Sequence, residues 1–140
     1  MKGWIACAFI VATASLAAGQ TMAKLAIATD ADYSTTMKDV QTQNGALRKA
    51  LTAASEADVT AAAAKLETDF KNVQAYWEAK KVEDATTAAK NAVAAVQAIS
   101  KAAAAHDMAA ATAALPALTA TCGGCHMAHR SPPPAPFTIK

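Results

Sequence analysis

Between residues 46 and 115 the chain contains neither glycine nor proline, while apolar side chains recur there at steps of three and four. Sheets joined by tight turns need those two residues as punctuation, whereas this rhythm lines one face of a helix. Four stretches carry it. Tyr33, Met37, Val40, Asn44, Leu47 and Leu51 make the first, and Val59, Ala63, Leu66, Phe70, Val73 and Trp77 the second. The third runs through Val82, Ala85, Ala89, Ala92, Val96 and Ile99, broadened by Val93; the fourth holds Met108, Ala111, Leu115, Leu118, Cys122, Cys125 and His129. The second face is the bulkiest, and the small third face permits close helix packing. Ser55 with Asp58, and separately Asp107, read as helix starts. Because only a few residues separate the stretches, neighbours should run antiparallel. The expected fold is all-α, an antiparallel up-down-up-down four-helix bundle. Pro116 lacks an amide donor and crowds the preceding turn, which predicts a kink or a restart in the last helix.

The ends differ from the middle. Lys2 opens a short basic start, Trp4 to Leu16 is apolar and uncharged, and Ala17-Ala18-Gly19 supplies small residues before Gln20. That order suits a secretory signal over residues 1–19, and its apolar run of about thirteen residues is short of the roughly twenty that cross a bilayer. Residues 20–29 then read as a flexible segment, 30–130 as the bundle, and 131–140 as an extended, solvated, proline-rich tail. Lys and Arg total 13 against 11 Asp and Glu, and they alternate along the polar faces without a basic stripe. No nucleic-acid partner is expected. With the signal removed, the chain is not expected to be an integral membrane protein, and an Ala-rich outer face permits a homodimer through the first two helices.

Of three cysteines, Cys7 would leave with the signal. The other two stand in Cys122-Gly123-Gly124-Cys125-His126, at the end of the last predicted helix. Two thiols and an adjacent imidazole at this spacing suit covalent haem attachment: each thiol forms one thioether, and His126 coordinates iron from the proximal side. A redox dithiol would follow a strand in a βαβ unit, and a zinc ribbon would need a second such pair. The cofactor expected is one haem c. Attachment of this kind takes place outside the bacterial cytoplasm, so the signal and the motif agree on an exported, periplasmic protein.

The distal side of the haem must come from another helix. Met108 precedes His126 by about 27 Å along the same helix axis, Met127 adjoins His126, and Met22 lies in the N-terminal segment. Met37 sits near the start of the first helix, which in an antiparallel bundle lies beside the end of the fourth. It is the candidate sixth ligand, against the ordinary role of an inward methionine as core filling. His129 rises from the same helix as His126 and suits a haem-edge or packing role; His106 falls near a helix junction and suits the surface. Arg130 could offer its guanidinium to a propionate, a role compatible with a cation at a helix C-terminus.

The nonapeptide from Cys122 to Arg130, placed late on the last of four helices, resembles the class II c-type cytochromes, the cytochrome c-prime family. Met37-Lys38-Asp39 is similar to the place where low-spin members carry their methionine ligand. Three differences stand out: Tyr33 occupies a position where many relatives have arginine, His129 replaces the usual aromatic residue, and the tail is extra. The resemblance implies one of two uses. With Met37 on iron the chain would be a non-enzymatic carrier of single electrons between transient redox partners; with an open distal site it would bind nitric oxide or carbon monoxide. A thiol-disulfide protein is the third class left by the motif alone.

Overall fold

The computed structural model describes residues 26–132 and 138–140. The expected signal, Met22 and the middle of the proline-rich tail lie outside them. Four helices form: α1 (Asp30–Thr52), α2 (Glu56–Lys80), α3 (Glu83–Ala104) and α4 (Met108–His129). Each covers one predicted stretch, and no strand occurs among the described residues. The inward faces are those the spacing marks, with Leu47, Leu66, Ile99 and Leu118 fully buried in a shared core. Full burial of such a side chain contributes roughly 1.5–3 kcal/mol.

Helix starts have local causes. Thr29 caps α1 in a reciprocal box with Asp32, its hydroxyl accepting from the Asp32 amide and the Asp32 carboxylate accepting in return. Asp107 caps α4 by accepting from the Ala110 amide at 2.8 Å. Ser55 does occupy the cap position of α2, but its hydroxyl donates to Asp58 at 2.7 Å and caps no amide. Upstream, Ile27 is 2% exposed and packs on the bundle, so packed chain begins ahead of residue 30.

The three connections share one geometry. Ala54, Lys81 and His106 all adopt φ between 50 and 59°. After each, the next amide reaches back five residues: Ser55 to the Ala50 carbonyl, Val82 to Trp77 and Asp107 to Ala102. This is the Schellman ending, normally built with glycine. A left-handed conformation costs a residue with a Cβ about 1–2 kcal/mol, partly offset in glycine by greater chain entropy. Ala54→Gly and Lys81→Gly should therefore each stabilise the chain by about 0.5–1 kcal/mol. Chemical denaturation measures this, and a loss in both variants would contradict it.

Pro116 brings no restart. α4 continues through it from Met108 to His129. Pro116 and Thr112, whose carbonyl loses its intrahelical donor, are both exposed, so water can satisfy that carbonyl. By length and composition α4 could also cross a membrane, yet here it packs along α3 and buries Ala111 and Leu118.

The tail is a second correction. Ile139 pairs with Arg130 in an isolated antiparallel bridge, and the Ser131 amide donates to the Thr138 carbonyl at 2.8 Å. Residues 138–140 thus return to the bundle. The last carbonyls of a helix lack internal donors, and here the Lys140 amide and ammonium reach those of His129 and Met127, both at 3.1 Å.

Candidate functional site

α1 packs on α2, α2 on α3, and α3 on α4, but α1 and α4 scarcely touch. The ring of helices is therefore open on one side. The end of α4 presents Thr121, Cys122, Cys125 and His126 to the gap, with no large aliphatic side chain among them, and α3 faces it with Ala88, Ala89 and Ala92. Small residues leave volume. A cavity of about 860 Å³ fills the seam, floored by Phe70 and Val73 of α2, and its size is ordinary for a cofactor site. Beyond it, Arg48 Nη2 donates to Thr119 Oγ1 at 2.7 Å and ties α1 to α4 one turn before Cys122.

Every predicted site residue lines this cavity. Cys122, Cys125, His126 and Arg130 come from α4 and its C-cap, and Met37 comes from α1. Both thiols are free and partly buried, and burial pushes both upward in pKa. His126 is pushed down, by burial first and then by the charge of Arg130, which favours the neutral imidazole that can ligate a metal. Met37 packs against both core clusters. Among the described residues no group of three or more His, Cys, Asp and Glu could hold a metal ion. The donors are instead two thiols and an imidazole on one wall and a thioether on the other. That set fits a haem, whose porphyrin supplies the remaining iron ligands.

Tyr33 and His129 line the end of the cavity, backed by an aromatic cluster. Tyr33, Tyr76 and Trp77 have ring centroids 4.8 to 5.6 Å apart, and His129 lies 5.2 Å from Trp77. His129 Nε2 is 2.9 Å from Asp84 Oδ2, and that bond is the chief reason the Asp84 carboxyl falls below its ordinary pKa. The imidazole is thus held at the cavity edge, in keeping with a haem-edge or packing role. His106, by contrast, is exposed at the α3–α4 turn, 2.7 Å from Glu56. Tyr76 and Asp84 were not marked by the sequence as site residues. Tyr76 adjoins an inward position and Asp84 opens a helix, and nothing in either spacing points to a cavity.

Tyr33 Oη accepts from Trp77 Nε1 at 3.1 Å. Burial is the main cause that pushes this phenol up to about 12. A phenol raised in the folded state contributes stability in full below pH 10, and the contribution is lost as pH rises toward 12. Melting temperature should fall between pH 9 and pH 12, and the fall should be shallower in Tyr33→Phe. Circular dichroism melts would decide, an equal slope in the two chains assigning the effect to other groups.

Residues 68–130, from the second half of α2 through Arg130, match the family model described as Cytochrome C'. That segment is similar to the cytochrome c-prime family. The similarity implies covalently bound haem c. The matched segment includes the whole motif from Cys122 to His126; Met37, on α1, falls outside it. Comparison with curated proteins and with solved structures returned no match.

Proposed function

We propose that this chain is a member of the cytochrome c-prime family and an exported, periplasmic carrier of single electrons. In this reading one haem c is attached through Cys122 and Cys125, with His126 as proximal and Met37 as distal iron ligand. The observation that carries it is that Met37 and His126 line one largely apolar cavity from two helices that have little other contact. Bound there, the haem would supply a one-electron ferric–ferrous couple. The protein's part is to hold the donors still and keep water out. Met37 is wedged between the two core clusters, which limits its movement between oxidation states. Phe70, Val73 and Ala89 give the cavity an apolar floor, and Arg130 at its rim can pair with a propionate through two parallel bonds. Met127 is 79% exposed on the outer side of α4, where a transient redox partner could approach.

The raised thiols speak against the dithiol reading, since a reactive pair needs thiolate character. Gas binding needs an open distal position, which a ligating Met37 would fill. The test is the spectrum of holoprotein from a haem-maturing host. Expected are haem that stays on the chain through acid denaturation, low-spin iron in both oxidation states, and slow carbon monoxide uptake by the ferrous form. A high-spin ferrous form that takes up carbon monoxide readily would overturn the carrier in favour of gas binding. Loss of haem in acid would remove both.

A further inference from the structure

We propose that Thr138–Lys140 form a strap that closes the end of the haem cavity, with Ile139 as the side chain that shields the haem edge from water. The strap thereby raises the reduction potential. The inference rests on the haem reading above, but its observations are separate. Ile139 is partly buried, lines the same cavity as Met37 and His126, and packs against the cluster that holds Tyr33, Val73 and Trp77.

Four further bonds hold the strap at both ends. The Ser131 amide donates to the Thr138 carbonyl and the Thr138 amide donates to Ser131 Oγ, each at 2.8 Å. Past Ile139, the Lys140 amide and ammonium donate to the His129 and Met127 carbonyls. These two carbonyls belong to the turn that follows His126, so the strap is fastened to the helix that bears the motif. A cation is favoured at that helix end by the macrodipole. Thr138–Lys140 therefore complete the helix terminus and the cavity wall at once.

The sign of the effect follows from solvation. Ferric haem carries one more positive charge than ferrous haem, and excluding water from its edge disfavours the more highly charged form. Ile139→Ser, which keeps the backbone bonds but wets the wall, should lower the potential. The one-electron reduction constant against a fixed mediator should fall about tenfold, equivalent to about 59 mV. Ile139→Leu should keep the parent value, because it retains the apolar cover. Lys140→Ala, which loosens the strap without touching the wall, should move the potential in the same direction by less.

Redox titration of purified holoprotein reads all three variants. Parent-like potential in Ile139→Ser with an unchanged spectrum would overturn the proposal, as would equal falls in Ile139→Ser and Ile139→Leu. Should Ile139→Ser fail to fold, Lys140→Ala decides by the same readout. Hydrogen exchange of the Ser131 and Lys140 amides in the parent tests the strap without reference to the haem: exchange as fast as in a free peptide removes it. Failure of the haem reading looks different, since covalent haem would then be missing from the parent.

Discussion

With Met37 on iron as proposed, Met37→Ala should turn a six-coordinate, low-spin haem protein into one with an open distal position that takes up carbon monoxide readily. Among the described residues, neither the other methionines nor His129 is placed to compensate. Met127 is 79% exposed, on the outer side of α4, and does not line the cavity. Met108 begins α4, about 27 Å along the helix axis from His126. His129 is held by Asp84 and rests on Trp77, and it rises from the same helix as His126. The cost to the fold should be small, about 1–2 kcal/mol, because Met37 is only partly buried and a full core truncation costs about 2–5. Met37→Leu separates the two roles, since it keeps the packing and removes the sulfur. Optical spectra of both variants, with carbon monoxide uptake by the ferrous forms, check the expectation. An unchanged low-spin spectrum in Met37→Leu would assign the sixth ligand elsewhere.

The helices and their inward faces were legible because burial acts through periodicity, and a seventy-residue span without glycine or proline leaves the period unbroken. The pairing of the start of α1 with the end of α4 was legible too, since short connections force antiparallel neighbours. What escaped the sequence has identifiable reasons. Ala54, Lys81 and His106 take the left-handed conformation that sequence rules assign to glycine, so the turns carry no marker of their geometry. The return of residues 138–140 depends on carbonyls left over at the end of α4, a long-range demand that a proline run does not advertise. Pro116 misled in the other direction. Its local cost is real, but the orphaned carbonyl lies on an exposed face and the helix persists. The cavity itself arises from a deficit, the alanines of α3 facing the small cysteines of the motif, and a deficit leaves only a faint pattern in a sequence this rich in alanine.

Leu118→Ala should be among the most destabilising single changes in the chain, and its size bears on what anchors α4. Of the residues on that helix only Ala111 and Leu118 are buried, and Leu118 is completely enclosed. Neighbours such as Leu115 and Cys122 are only partly covered, while the outer face is alanine, threonine and glycine. Truncating a fully buried leucine costs about 2–5 kcal/mol, the more so where the cavity cannot collapse. Leu118 is clamped between the cores of the other three helices, so the upper half of that range is expected. For a domain of this size that is a fall in melting temperature on the order of 10 °C or more. Leu118→Met, which preserves most of the volume, should lose less than about 1.5 kcal/mol. Thermal melts of the holoprotein give both numbers. A loss well under 1 kcal/mol in Leu118→Ala would mean that α4 is fastened chiefly at its other end, where two thioethers to a haem packed against α1, α2 and α3 would supply the missing anchor. The same variant would then expose amides near Leu118 to exchange while those near Cys125 stayed protected, a gradient that a helix held by its leucine alone would not produce.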